Sequence, residues 1–464
     1  MSKNENTPLR TISFLGAAET VTGSRYLVST PSAKVLVDCG LFQGFKSLRL
    51  RNWQPFPVEP AEIAKVLLTH AHLDHSGYVP ALVKNGFQGE ILMTEGTFEL
   101  SKIMWADSAY LLQEDAERAN QKGYTKHQPA LPLYEIADVE NALKQVKVID
   151  FDKPIQISSE ITATFKHAGH ILGAAQLLLE INKTKVFFSG DLGRASDALM
   201  NPPAAFEGSD ILVTESTYGN RVHPDTNPEQ ELAEVLGRVI KRGGTAVIPA
   251  FAVGRTQALL LHIYRLMKSG QIPTVPVYLN SPMANRVTEL YEKHREEHKL
   301  EIDEFNAMYD IVKMVKTVDE SKELNTDDST KIIIAASGML TGGRVLHHVK
   351  RFGRDSMNAI LIVGYQAGGT RGRALIDGAK SLRIFGSDVP IKAEVVRIDS
   401  LSAHMDSSEV LAWMKSAKKA PAMTYLTHGE PEASDQFRFQ VENELKWPVR
   451  VATMGEVIDI DNPK

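Results

Sequence analysis

The chain has 464 residues, 43% hydrophobic and 23% charged, which is enough apolar content to bury real cores and too much for a disordered polymer. Its 52 basic and 57 acidic residues give a formal net charge of -5, excluding a histone-like polycation, and its single cysteine, Cys39, excludes an intrachain disulfide or a multi-cysteine zinc site. Metal chemistry, if present, must use carboxylates and the fourteen histidines.

The polar N-terminus MSKNENTPLR has no apolar signal-peptide core, and apolar runs such as Ala359–Val363 fall far short of the ~20 residues of a membrane helix. The expectation is a cytoplasmic chain with no membrane partner. In chain order, short strands are predicted at Lys34–Val37, Lys65–Thr69, Ile161–Lys166, Ala175–Glu180 and Lys185–Ser189. An apolar-periodic stretch, Thr97–Lys122, reads as a helix ended by Gly123. From about residue 211, strands at Ile211–Thr214, Thr245–Pro249, Val275–Leu279, Ile332–Ala335 and Ala359–Val363 alternate with helices at Pro228–Lys241, Thr256–Lys268, Ala284–His298 and Val345–Arg351. Such alternation predicts a parallel α/β sheet. The layout is one α/β body interrupted by a second α/β domain. Charge is uneven: residues 331–397 hold eleven Lys/Arg against four Asp/Glu, while residues 289–328 hold thirteen acidic against six basic residues. A basic patch of this kind can face an anionic polymer or be a solvated surface.

The densest chemical signal is Thr69-His70-Ala71-His72-Leu73-Asp74-His75-Ser76-Gly77, between the apolar Val66–Leu68 and the helical stretch Tyr78–Lys84. His70 and His72 can point into one space from an extended turn, and Asp74 and His75 can face a second point as the helix starts. One metal takes three or four such ligands, and a pair needs more.

This HxHxDH motif resembles the metallo-β-lactamase superfamily, and three further stretches extend the likeness. Val37-Asp38-Cys39-Gly40 is similar to its first motif, Lys166–Ala174 to its third with His170 as ligand, and Phe187–Gly193 to its fourth with Asp191. By that likeness Asp38 orients a ligand histidine without binding metal, and Asp191 bridges two metals; His167 is the ambiguous neighbour of His170. Beyond residue 210, Thr214–Asn220 resembles motif A of the β-CASP nucleases with Glu215, Ser400–Asp406 motif B with His404, and Leu426–Glu430 motif C with His428. The match runs from Asp38 to Glu430 and is nearest in pattern to prokaryotic relatives of the 73 kDa cleavage and polyadenylation specificity factor subunit.

The resemblance implies an αββα metallo-β-lactamase sandwich over residues 1–215 and 385–464, with an inserted parallel-sheet β-CASP domain at 216–384 and an active site between the two. It implies two Zn2+ ions, manganese being tolerated. His70, His72 and His170 would hold one ion and Asp74, His75 and His428 the other, with Asp191 shared. A hydroxide activated by the two metals would attack phosphorus, with His404 as general acid held by Glu215 and Asp74 counted among the catalytic groups. The expected function is a zinc-dependent ribonuclease acting internally, from the 5′ end, or both. DNA-processing members replace the motif C histidine with an apolar residue, so His428 favours RNA. The chain is expected to be a minimal catalytic body, lacking the added domains of ribonuclease J and of archaeal relatives, and the likeness suggests a homodimer. The rival readings are a DNA nuclease, a small-molecule thioester hydrolase and a non-catalytic RNA-binding scaffold.

Two glycine-rich strand-to-helix turns in the insert, Pro249–Gln257 and Ala336–Arg344, can offer free backbone N–H groups and arginines to phosphate. The candidate RNA contacts are Arg255, Ser337, Gly338, Arg344, Arg373 and Lys380.

Overall fold

The computed structural model describes residues 9–123, 127–224 and 226–463, which divide into two compact units. The first runs through Ala195 and adds Pro202–Val222 and His404–Lys464; the second is Ser196–Asn201 with His223–Ala403.

The first unit contains two seven-stranded sheets. One is ordered Val457–Asp459, Thr11–Phe14, Tyr26–Ser29, Lys34–Val37, Ile63–Leu67, Glu90–Thr94, Val146–Ile149. The other is ordered Val449–Val451, Met423–Thr427, Ile211–Glu215, Thr184–Phe188, Ala175–Ile181, Ile161–His167, Ile155–Gln156. Side chains alternate across a strand, so each sheet has two faces to cover. Leu67 joins Phe14, Val37, Phe165, Leu177, Phe188 and Val213 in a core between the sheets. Its neighbours Val66 and Leu68 point the other way, onto a helical layer that contributes Leu82, Trp105, Ala109 and Val139. On the second sheet Val213 faces inward while Leu212 packs with Trp413 and Phe437 of the helices Ser407–Met414 and Pro431–Gln440. The result is the four-layer αββα sandwich. Glu95–Lys122 is a 28-residue helix whose N-cap Thr94 accepts from Thr97 and whose C-cap Gly123 has the left-handed φ of 61° that favours glycine. Among the described residues no helix is long and apolar enough to cross a membrane.

The second unit is built on a six-stranded sheet, Val312–Met314, Val277–Leu279, Lys331–Ala335, Thr245–Pro249, Ala359–Val363, Glu394–Ile398. Every pairing in it is parallel. The predicted helix Ala284–His298 is shorter in the structure: Pro282–Lys293 ends at His294, and a 3₁₀ turn follows at Arg295–Glu297. The expected return to the first domain at residue 385 is also displaced. Strand Glu394–Ile398 pairs with Ala359–Val363 along five residues, which binds it to the insert's sheet, so the chain rejoins the first unit only at His404. Likewise the outward boundary falls after Val222 rather than at 215.

Four of the loops that matter leave the carboxyl ends of parallel strands: Lys34–Val37 and Ile63–Leu67 in one sheet, Ile211–Glu215 and Met423–Thr427 in the other. They pack closely. A Cβ on Gly40 would fall 1.6 Å from the carbonyl oxygen of Asp74, an oxygen that accepts from the Ser24 N–H at 2.8 Å. Gly40→Ala must therefore push the 39–41 and 73–75 segments apart. The expected outcome is a thermal midpoint lowered by about 5 °C, measured by calorimetry, together with a lower bound-metal stoichiometry; an unchanged midpoint would contradict the close packing.

Candidate metal centre

Strand ends from both sheets bring the candidate ligands together. His70 follows Ile63–Leu67, and Asp74 and His75 occupy the helical turn Leu73–Ser76. His170 lies in the loop between strands Ile161–His167 and Ala175–Ile181, Asp191 follows Thr184–Phe188, and His428 follows Met423–Thr427. Buried all but completely are Asp38, His70, His75, His170, Asp191, Glu215 and His428.

The ligand atoms form two groups around Asp191. In the first, Nε2 of His70 and Nε2 of His170 lie 3.1 and 3.2 Å from Nδ1 of His72, and Oδ2 of Asp191 lies 3.4 and 3.7 Å from the same two Nε2 atoms. A tetrahedral zinc with bonds of about 2.0–2.1 Å sets its ligands about 3.3 Å apart. In the second, Nε2 of His75 is 3.2 Å and Nδ1 of His428 3.7 Å from Oδ1 of Asp191, while Nε2 of His428 is 3.5 Å from Oδ2 of Asp74. Each oxygen of Asp191 thus serves one group. Three buried atoms here, His170 Nδ1, Asp191 Oδ1 and His428 Nε2, have no hydrogen-bond partner. Buried acceptors left unmade are costly, and a divalent cation is the partner this donor set fits.

Two buried carboxylates set the ring orientations. Oδ2 of Asp38 accepts from Nδ1 of His75 at 2.8 Å, which aims Nε2 at the centre, 3.2 Å from Oδ1 of Asp191 and 3.3 Å from the Ser24 hydroxyl. Asp38 also accepts from the Thr69 hydroxyl at 3.0 and 2.9 Å and from the Thr69 N–H at 2.8 Å. With its one proton committed, the Thr69 oxygen accepts from Nδ1 of His70 at 3.1 Å and frees the His70 Nε2 lone pair. Glu215 repeats the pattern. Its Oε2 accepts from Nδ1 of His404 at 3.0 Å and from the Thr217 hydroxyl at 2.6 Å, and the Thr217 oxygen lies 3.0 Å from Nδ1 of His428. Its Oε1 accepts from the Leu192 N–H at 2.5 Å. Each carboxylate holds one imidazole directly and one through a threonine.

Electrostatics at His70, His72, His170 and Asp191 agree with a ligand role, whereas at His75 the charges of Asp191 and Asp38 outweigh burial and hold the ring well above the imidazole range. Burial, reinforced by His70, pushes His72 down to about 3, and burial reinforced by His404 holds His170 well below the imidazole range, so both stay neutral at pH 7. Burial raises the Asp191 carboxyl, but His428, His75 and His70 outweigh it and hold Asp191 well below its usual value. For His404, burial lowers the pKa, and the Glu215 charge and hydrogen bond overcome it to leave the ring raised.

Thr69 and Thr217 were not singled out from the sequence, although each is a hydroxyl within two positions of a predicted site residue at a strand end. His167 lies outside the clusters, packing against Phe151 at 5.4 Å between ring centres. The six candidate RNA contacts all belong to the second unit. There the two glycine-rich turns abut: Ala250 N–H donates to Ala335, and a Cβ on Gly338 would fall 2.9 Å from the backbone nitrogen of Phe251. Arg255 is buried beside Gly364, and Ser337 Oγ accepts from the Thr341 N–H at 3.1 Å. Arg344 donates to Asn280 and to the carbonyls of Val315 and Lys316, and Arg373 to Asp377, so these two guanidiniums are engaged within the chain. Lys380 lines a hollow with Arg397, Leu375 and Ala393.

Removing a threonine hydroxyl should loosen the metal without emptying the site. Thr69→Val and Thr217→Val are each expected to weaken metal binding about 10–100-fold, read by competition with a chromophoric chelator, and Thr→Ser should restore it. Affinity unchanged in both valine variants would show the hydroxyls to be incidental.

Residues 20–228 match the metallo-beta-lactamase superfamily, residues 256–375 the Beta-Casp domain, and residues 388–452 the Zn-dependent metallo-hydrolase RNA specificity domain. A ribonuclease of Thermus thermophilus is 33% identical over 431 residues, covering 91% of this chain and 94% of its own. The transcription termination factor FttA of Methanosarcina mazei is 30% identical, covering 96% of this chain and 71% of its own. An RNase J-like protein of Methanocaldococcus jannaschii is 29% identical, covering 97% and 99%. A solved protein of unknown function from Enterococcus faecalis V583 shares the fold, with a TM-score of 0.51 at 15% identity over 97% of this chain and 99% of that one. Family matches along the chain, and a relative alike over nearly its whole length, agree with the sandwich, the insert and the histidine–aspartate centre: the chain belongs to the β-CASP RNA nucleases of the metallo-β-lactamase superfamily.

Proposed function

We propose that this protein hydrolyses RNA phosphodiester bonds at a two-zinc centre, with manganese as a tolerated substitute. The observation that carries the reading is Asp191, one oxygen of which faces His70 and His170 and the other His75 and His428. Divalent cations held there would supply Lewis acidity, charge neutralisation at the phosphoryl group and a water nucleophilic near neutral pH. His70, His72 and His170 with Asp191 would hold one ion, and Asp74, His75 and His428 with Asp191 would hold the other.

The remaining steps fall to this chain's own groups. Asp38 and Thr69 hold His75 and His70 in the tautomer that presents Nε2. His404 is held by Nδ1 on Glu215, which assigns Nε2 as the nitrogen that delivers a proton to the leaving oxygen. Its side chain is 17% exposed, against 1% for that of Glu215, which suits a group that must meet substrate while its partner stays dry. RNA as substrate, rather than DNA, is supported by His428, which stands where DNA-processing relatives carry an apolar residue, and by the Thermus relative being a ribonuclease. End-labelled RNA carrying a 5′-monophosphate or 5′-triphosphate separates internal cleavage from attack at the 5′ end.

His404→Ala is expected to keep its metal and lose turnover by about 10²–10⁴-fold, with metal counted by elemental analysis. His75→Ala should instead lower bound zinc; two equivalents retained would overturn the ligand assignment. Products should carry a 5′-phosphate and a 3′-hydroxyl, and a 2′,3′-cyclic phosphate would rule out water as the nucleophile.

A further inference from the structure

The loop after strand Lys34–Val37 exposes large apolar side chains where a soluble surface would ordinarily hide them. Residues Lys46–Arg49 form one helical turn and Leu50–Trp53 a 3₁₀ turn that continues it. Phe45, Leu50 and Trp53 are 54%, 52% and 56% exposed. Lys46, Arg49, Leu50 and Trp53 follow the i, i+3, i+4, i+7 spacing of one helix face, and all four are exposed, while Asn52 on the other side is buried.

The exposure is built, not slack. The Asn52 side chain accepts from the Phe42 N–H at 2.9 Å and donates to the Phe42 carbonyl at 2.8 Å. The Gln43 N–H donates to the Thr22 hydroxyl at 3.2 Å, and the Arg51 guanidinium lies 5.5 Å from the centre of the Phe42 ring. The base of the loop is laced to the metal centre's own turn: Cys39 N–H donates to His75 at 2.7 Å, and Leu41 N–H to Leu73 at 2.8 Å.

Charge indicates what covers this face. No acidic residue occurs between Asp38 and Glu59, whereas Lys46, Arg49 and Arg51 lie among the exposed rings. No ion pair joins these three cations to a carboxylate among the described residues. Aromatic rings with a π face to offer, interleaved with unpaired cations, fit single-stranded nucleic acid, whose bases stack while its phosphates take the charge.

We propose that the Phe45–Trp53 turn is a docking platform for single-stranded RNA, with bases stacked on Phe45 and Trp53 and phosphates met by Lys46 and Arg49. This deepens the ribonuclease reading and rests on it. The test uses oligo(U) 20-mer binding in the inactive His404→Ala protein, with and without Phe45→Ala/Trp53→Ala. Both rings are exposed, so the fold should survive, and a thermal midpoint equal to that of the parent checks this. The double variant is expected to bind about tenfold more weakly or worse. Lys46→Gln/Arg49→Gln should lower the slope of log K against log salt by about 1.4, that is, about 0.7 for each phosphate lost. In the active protein the ring variant should raise KM for the 20-mer and leave bis(p-nitrophenyl) phosphate hydrolysis unchanged, since that small diester needs only the metal centre. Unchanged 20-mer affinity in the ring variant overturns the platform while leaving the ribonuclease intact. A parent protein that binds no RNA and cleaves none overturns both. A dimer that the ring variant splits while RNA affinity holds would assign the surface to a second copy of the chain and also overturn the proposal.

Discussion

The placement of one carboxylate, Asp191, constrains the rest of the sandwich. It is buried, and a buried carboxylate without compensation costs several kcal/mol. Compensation comes from imidazoles on both sides: His70 and His75 from a loop of the first sheet and His428 from a loop of the second. The two sheets must therefore close at one register for the charge to be tolerated. The Ala175 N–H donates across to the Thr69 carbonyl at 2.8 Å, and the Tyr26 hydroxyl to Thr427 Oγ1 at 3.1 Å. Tyr26 in turn packs on Phe188 with ring centres 5.6 Å apart, so the core between the sheets is continuous with the floor of the centre. Core packing and ligand geometry are in this sense one interaction, which is why Gly40, with no side chain and no charge, can matter to metal binding.

How much of this can be read from sequence depends on how local each contact is. Four ligand-type residues within His70–His75 follow one strand, so spacing alone suggests a metal centre. Asp191 stands alone and His170 has only the ambiguous His167 nearby, so both become legible only through motif order. The threonine links are not legible: Thr217 acquires its role because strand Ile211–Glu215 pairs in parallel with Met423–Thr427, which sets Glu215 opposite Thr427 and brings His428 alongside. The same reasoning explains the displaced domain boundary. Residues 394–398 look like any short apolar strand, and only their pairing with Ala359–Val363 assigns them to the insert.

Charge counting is incomplete for a related reason. The excess of seven cations in residues 331–397 points to that segment as the RNA surface, but a formal charge does not say whether a cation is spent. Lys331 is buried against Asp327, Arg351 pairs with Asp328, Arg373 with Asp377 and Arg397 with Asp399. Arg344 and Arg371 are hydrogen-bonded to backbone carbonyls of neighbouring loops. Six of the eleven cations are thus engaged in holding the second unit together. The 38–59 stretch has only three cations and attracts no notice in a charge count, yet none of the three meets a carboxylate among the described residues and all three lie between two exposed rings, Phe45 and Trp53. For a polyanion the relevant quantity is the number of cations that can exchange a counterion for a phosphate, because that number sets the salt dependence of binding. By that measure six of the eleven cations of residues 331–397 are discounted, whereas the three of the 38–59 stretch keep their weight beside the rings proposed to stack on bases.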